Sequence, residues 1–361
     1  MSEWQELKLG EVLNLKRGYD LTRRERIDGS IPVYSSSGIS GFHNEAKANA
    51  PGVVTGRYGT IGKIFLAKTP FWPHNTTLYV EDFKGNDEIF IYYFLQQLNW
   101  EQFNDKSAVP GINRNDAHQA DVTLPPLPEQ RAIAGVLAAL DDKIDLLHRQ
   151  NRTLESLAQA LFRHWFIDGA GADWEEGCLA DFSENVRDSV SYGKIPNCTA
   201  YVGLEHIDKK NIALSQNGLS DEIQSNKYAF QENDILFGKL RPYFHKVCFA
   251  SFSGVCSTDI LVLRPKKPFY FCFSLFAFFQ SSVVEYANLG SGGTRMPRTN
   301  WGTLGEYPML IPPESLISQF DEMTVPSIEK IKRNLDQIRT LAALRDTLLP
   351  KLMSGEVRVR G

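Results

Sequence analysis

The chain has 361 residues, 42% of them hydrophobic and 23% charged, with 39 basic against 43 acidic side chains and a net charge of −4. This ordinary globular mix excludes a disordered or collagen-like chain, and the length predicts two or three domains. Bulk charge gives no sign of a polyanionic partner, so any such partner would have to be met by local patches.

The first six residues have no basic region leading into an apolar run, and the longest apolar stretch, 269–279, is too short to span a bilayer. The five cysteines all lie between residues 178 and 272 without a C-x-x-C pair, which predicts reduced thiols and a cytoplasmic protein. Residues 1–125 read as a mixed front. Strand-like runs at 31–34 and 77–80 are broken by turn residues, and an apolar stretch at 89–100 has helical character.

Pro128 then stands where an initial helical residue is favoured, with Glu129 in the first turn. Apolar positions follow in alternating steps of four and three: Ile133, Leu137, Leu140, Ile144, Leu147, Asn151, Leu154, Ala158, Leu161 and Trp165. This is a heptad seam, closed by Gly169 and Gly171. Its one polar member, Asn151, is of a type that fixes register at a cost in stability. Residues 169–311 repeat the mixed plan, with a strand-like run at 259–263 and a helical stretch at 270–279. Residues 312–361 repeat the helix. Its seam runs Ile328, Ile331, Leu335 and Ile338, then slips through Leu341, Leu344 and Leu348. Proline removes a helical hydrogen bond, so this helix is predicted to start near Pro326 and to close at Pro350 and Gly355.

Four blocks recur in order. Trp4 and Leu9 match Trp174 and Leu179, and the run Thr77-Leu78-Tyr79-Val80 aligns with Asp259-Ile260-Leu261-Val262. Asn113 matches Asn300, and Pro125-Pro126 matches Pro312-Pro313, both at an offset of 187 (300 − 113 and 312 − 125). Leu154, Leu157 and Leu161 match Leu341, Leu344 and Leu348 at the same offset. The expected fold is α+β: two tandem α/β domains separated by two long antiparallel coiled-coil helices, related by a pseudo-two-fold axis.

Catalytic patterns are missing. The segment from Gly56 to Lys63 resembles a phosphate loop, but the glycine spacing is wrong and Ile64 stands where a magnesium-binding hydroxyl belongs, so a hairpin turn is the better reading. The seven histidines have no zinc-ligand spacing, and Leu124-Pro125-Pro126-Leu127 lacks the first residue of an amino-methyltransferase motif. The chain is predicted to be non-catalytic.

Polar donors cluster near turns at corresponding places in both fronts. In the first these are Arg57, Tyr58, Lys63, Asn113 and Arg114; in the second they are Lys239, Arg241, Tyr243, Lys246, Arg295 and Arg298. Arginine reads guanine edges, asparagine reads adenine, and lysine suits phosphate, so these eleven are the candidate DNA contacts. Helices of about 25 residues separate their ends by about 37 Å at 1.5 Å per residue. One turn of duplex DNA is about 34–36 Å. Because the two fronts differ in most residues, the expected target is asymmetric and interrupted.

Four segments carry a family resemblance: Asp234-Ile235-Leu236-Phe237-Gly238-Lys239-Leu240-Arg241-Pro242-Tyr243, then Ser257-Thr258-Asp259-Ile260-Leu261-Val262-Leu263-Arg264-Pro265, then Gly56-Arg57-Tyr58-Gly59-Thr60-Ile61-Gly62, and the junction Leu124-Pro125-Pro126-Leu127-Pro128-Glu129-Gln130. With them the chain resembles, over essentially its full length, the DNA specificity subunit of type I restriction-modification systems. The second junction, Ile311-Pro312-Pro313-Glu314, departs by lacking the adjacent glutamine; Gln319 comes later.

The resemblance implies target-recognition domains at 1–125 and 169–311, with conserved helical spacers at 126–168 and 312–361. It implies a non-catalytic chain that binds double-stranded DNA and docks two modification subunits, which methylate adenine with S-adenosylmethionine. Restriction subunits using ATP and magnesium would join them, and this chain would hold no cofactor of its own. Two other readings stay open: a specificity chain for a combined methyltransferase-nuclease of type IIB or IIG, and a coiled-coil scaffold that never reads DNA.

Overall fold

A computed structural model describes residues 4–105, 111–292 and 296–359. It divides into two compact units, Met1–Ile144 with Thr340–Gly361, and Asp145–Arg339. Two long helices, Leu127–Phe162 and Glu314–Met353, contribute residues to both units.

In the first unit a four-stranded antiparallel sheet runs in the order Asn14–Arg17, Thr77–Asp82, Gly52–Gly56, Ile64–Ala67. A three-stranded sheet places Ile31–Ser35 between Gly38–His43 and Trp72–Pro73. Gln5–Lys8 pairs with Asp121–Leu124 and closes the front next to the long helix. The helix Glu88–Leu95 is capped by Asp87, whose carboxylate accepts from the Phe90 amide at 2.9 Å. Its buried face (Phe90, Ile91, Phe94) joins Ile133 and Leu137 of the first long helix and Leu349 and Leu352 of the second in one apolar core. Asp141 accepts from the Arg345 guanidinium at 2.6 Å. Residue 141 thus faces 345 while 133–137 share a core with 349–352, so the helices run antiparallel within this unit.

The second unit repeats the sheet in the same order: Ser183–Val186, Ile260–Pro265, Ile235–Gly238, Val247–Phe249. Glu175–Cys178 pairs with Pro308–Ile311 as Gln5–Lys8 does with Asp121–Leu124. A five-stranded sheet is added, built from Ser189–Val190, Lys227–Phe230, Gly254–Cys256, Ala200–Val202 and Gly218–Leu219. All eight residues of the helix Phe271–Phe278 are buried. Phe162 lies 5.6 Å from Phe273 and 5.9 Å from Phe320, ring centre to ring centre, which ties the helix pair to the front. Burial of each such side chain stabilises by about 1.5–3 kcal/mol.

Three details differ from the sequence expectations. The long helix passes straight through Pro326 instead of starting there, and it continues beyond Pro350 to Met353. Pro326 is exposed while Phe320, Ile328 and Ile331 are buried. Packing of the apolar face thus outweighs one missing main-chain hydrogen bond. The strand alignment is also off by one residue: Thr77, aligned with Asp259 in the sequence, is the equivalent of Ile260. Arg57 N–H donates to Thr76 O and Lys239 N–H to Asp259 O, while Thr77 N–H reaches His74 O and Ile260 N–H reaches Ser257 O. The true offset is 183 (260 − 77), and both Thr77 and Ile260 are fully buried.

The third detail is the junction. Gln130 is 2% exposed; its Oε1 accepts from the Asp87 amide, and its Nε2 donates to Asn86 Oδ1 and Pro125 O. This locks the Leu-Pro-Pro-Leu-Pro-Glu-Gln segment onto the front. The equivalent position in the second copy is Ile317 (130 + 187), fully buried in the apolar core. There Glu314 takes over the polar contact, accepting from Tyr270 Oη at 2.7 Å and pairing with Lys267.

Candidate nucleic-acid interface

In each unit three chain segments cross at one edge of the four-stranded sheet. In the first unit the strand Gly52–Gly56 runs out into Arg57 and Tyr58. Arg57 N–H donates to Thr76 O at 2.8 Å, Ile112 N–H donates to Arg57 O at 3.0 Å, and Tyr58 pairs with Gly111. A Cβ on residue 111 would lie 2.3 Å from Tyr58 Cε1, so only glycine fits under the ring. The Arg57 guanidinium stacks on that ring, 4.5 Å from its centre.

Asn113 and Arg114 follow directly. Asn113 caps the short helix Arg114–His118, its Oδ1 accepting from the Asn115 amide at 3.0 Å. Arg114 is exposed at the first helical position. Lys63 follows in the same loop, with its ammonium 5.5 Å from the Phe65 ring centre. Arg57, Tyr58, Asn113 and Arg114 therefore gather on one rim, with Asn113's side-chain oxygen engaged by its cap, while Lys63 stands beside Phe65. Thr76, which the sequence did not single out, completes the rim: its hydroxyl meets His74 Nδ1 at 3.1 Å and the Ser36 amide at 3.4 Å. Burial lowers the pKa of His74, favouring a neutral ring there.

The second unit builds the same crossing. Lys239 N–H donates to Asp259 O at 2.9 Å, Thr299 N–H donates to Lys239 O at 3.0 Å, and Leu240 pairs with Arg298. Asn300 caps Trp301–Gly305 through the Thr303 amide, as Asn113 caps its own helix. Arg298 Nη2 sits 3.3 and 3.4 Å from the two carboxylate oxygens of Asp259.

The loop beyond has an unusual backbone. Arg241 and His245 both hold φ of 51°, a costly conformation for residues with a Cβ, on either side of the turn Pro242–Phe244. Arg241 N–H donates to Pro297 O at 2.8 Å, and its Nε is buried without a partner among the described residues. His245 Nε2 meets Phe279 O at 2.9 Å, and burial lowers its pKa. Tyr243 projects half-exposed against Phe244, whose other contact is the Lys209 ammonium at 4.2 Å. Lys246 is tied back by donating to Leu204 O. Arg295 lies outside the described residues.

Beneath the crossing, the two signature segments of the second half are bolted together. Arg264 donates from Nε and Nη2 to the two oxygens of Asp234 at 2.8 and 2.7 Å, and Asp234 is 1% exposed. With Thr76, two further residues escape the sequence reading, Asp259 and Lys209. Asp259 was hidden by the one-residue slip in the alignment; nothing in the sequence signals the Lys209 stack.

Residues 1–156 match the family described as type I restriction modification DNA specificity domain. Curated relatives extend the likeness over the remainder. The chain is 25% identical to the type I restriction enzyme MjaIX specificity subunit of Methanocaldococcus jannaschii, covering 83% of this chain and 76% of that one. It is 23% identical to the EcoDI specificity subunit of Escherichia coli, covering 99% and 85%. The chain is thus similar, over most of its length, to the specificity subunits of type I restriction enzymes. A crystal structure of the S subunit from M. genitalium shares the fold, with a TM-score of 0.65 at 17% identity over 97% of this chain and 96% of that one. No helix among the described residues is long and apolar enough to cross a membrane.

Proposed function

We propose that this chain is a type I restriction-modification specificity subunit that binds double-stranded DNA sequence-specifically, each front reading one half of an asymmetric, interrupted site. The helices set the gap between half-sites and dock two modification subunits, with restriction subunits joining the assembly in the cytoplasm. The chain contributes recognition only. S-adenosylmethionine, used to methylate adenine, and the ATP and magnesium that drive translocation and cleavage are held by the partners.

The observation that carries this reading is the repeated crossing. Both units use the same main-chain hydrogen bonds, Arg57 to Thr76 and Lys239 to Asp259, to present different exposed side chains. A constant scaffold with variable tips is what two readers of unlike sequence need. Docking of two like partners is supported by apolar residues exposed at matched places on the helices. Val136 matches Met323 and Leu157 matches Leu344, each at an offset of 187 (323 − 136 and 344 − 157). Within each helix the two are 21 residues apart (157 − 136 and 344 − 323), which puts them on one face of a helix in a 3.5-residue seam.

The test is to express the full chain with its modification subunits and map methylated adenines in the DNA they modify. The reading expects one motif of two unlike fixed blocks separated by unspecified bases. A single uninterrupted motif, or methylation without sequence preference, would overturn it. Because the chain itself is near neutral, its unaccompanied binding to duplex DNA is expected to be weak, with a shallow salt slope.

A further inference from the structure

The two crossings share a backbone and differ in the residues at three neighbouring positions. In the first unit these are Tyr58, Thr76 and Gly111; in the second, Leu240, Asp259 and Arg298 occupy the same backbone places. The exchange is compensatory in space. The Tyr58 ring lies where a side chain on residue 111 would go. In the second unit the aromatic ring is replaced by leucine, and the partner residue is an arginine whose guanidinium rests on the Asp259 carboxylate. The first unit thus serves as an internal control: the crossing forms without either charge, so neither charge is there to build it. An ion pair this exposed, with Arg298 at 55% and Asp259 at 28%, adds little to stability.

The geometry leaves the guanidinium available. Only Nη2 faces Asp259, while Nη1 and Nε have no partner among the described residues. Held through one hydrogen of Nη2, the guanidinium keeps its end-on edge, Nη1–H beside the second Nη2–H, in a fixed direction, and that parallel pair matches guanine O6 and N7 in the major groove.

We propose that Arg298, oriented by Asp259, reads a guanine in the half-site of the second unit, and that this three-residue place is where the two fronts exchange base preference. The proposal rests on the DNA-reading function given above. Arg298 is the contact and Asp259 the positioning residue. The opposed outcome is a phosphate contact, which would hold DNA without choosing sequence.

The experiment uses the full chain assembled with its modification subunits. Wild type, Arg298→Ala, Arg298→Lys and Asp259→Asn are each selected against a randomised duplex library at fixed salt. Wild type is expected to enrich guanine at one position of one block. Arg298→Ala lowers that preference tenfold or more and leaves the other block unchanged. Arg298→Lys keeps affinity for non-specific duplex but loses the guanine preference, because an ammonium lacks the fork. Asp259→Asn weakens the preference at the same position alone, by threefold or more, an effect that loss of a merely structural contact would not confine to one base pair. Asp259 holds the scaffold through its main-chain oxygen, so all three variants keep the crossing.

If Arg298→Ala weakens every sequence equally and the motif persists, or changes nothing, the proposal is overturned while the DNA-reading function stands. If Arg298→Ala fails to assemble, Arg298→Lys decides on the same criterion. A wild-type complex that enriches no sequence overturns both.

Discussion

Asn334 donates from Nδ2 to Asn151 Oδ1 at 2.7 Å, joining the two long helices inside the second unit. Both residues are buried, and the same nitrogen reaches Gln150 Oε1 at 2.9 Å. On either side of Asn334 the seam positions Ile331 and Leu335 are also buried. Sliding one helix by a residue would leave both amides among apolar groups without partners. The pair therefore sets register at the expense of stability. Asn334→Ala is expected to destabilise the second unit by about 1–3 kcal/mol, because Asn151 is left unsatisfied. The double change Asn151→Leu with Asn334→Leu is expected to come within about 1 kcal/mol of wild type or to exceed it, since replacing both partners removes the unpaired group. Urea unfolding of Asn334→Ala and of the cycle formed by wild type, Asn151→Leu, Asn334→Leu and the double variant measures this; strictly additive losses in that cycle would contradict it.

Glu155 predicts a pH effect. It is 8% exposed on the first long helix, with Gln159 Nε2 donating to its Oε1 at 2.9 Å and the Ile212 amide hydrogen-bonding to it. Burial pushes its pKa up from about 4.5 to about 7. The folded state therefore holds this proton more tightly than the unfolded one. The stabilisation is full below about pH 4.5 and is lost as pH rises through about 7. Glu155→Gln removes the titration, so its stability relative to wild type should rise between pH 5 and 8 by up to about 3 kcal/mol. Denaturant melts across that range check the sign; a difference that stays flat with pH would contradict it.

Gln130 predicts an asymmetry between the two junctions. Gln130→Ala removes the partners of the Asp87 amide and of Pro125 O and should cost about 2–4 kcal/mol. Gln130→Ile, which copies the second junction, should not recover this, because those polar groups remain unsatisfied. Ile317→Gln should destabilise the second unit, having an apolar core and no matching partners around it. Melting of the three variants tests this, and a neutral Gln130→Ile would count against it.

Leu157 and Leu344 predict the docking face. Leu157→Asp and Leu344→Asp should each leave stability within about 0.5 kcal/mol of wild type, as surface changes do. Each should weaken association with the modification subunit about tenfold or more, as loss of a central apolar contact does. Calorimetric titration decides between this and an unaffected affinity.

Much of this arrangement is legible in the sequence, and the exceptions have physical causes. The seam from Ile133 to Trp165 is readable because one helix face must stay apolar along its length. The duplication is readable through Trp4 and Trp174 and through the paired prolines. Pro326 misleads because the cost of one hydrogen bond is visible locally while the packing of Phe320 and Ile328 is not. Asp259 is missed because a single-residue slip moves a surface aspartate onto a buried threonine, and only main-chain hydrogen bonds restore the register. Asn113 reads as a base contact and as a helix cap with equal ease; its bond to the Asn115 amide shows the cap. Side-chain partners across 30 or more residues, such as Asp234 with Arg264, lie beyond any periodicity.

The most direct test of two separate readers is to replace residues 1–125 with the corresponding segment of a relative, assemble the chimaera with its modification subunits, and map the methylated adenines. The account predicts that one block of the motif changes to the donor's while the other block and the gap stay as they were. A change in both blocks, or in neither, would contradict it.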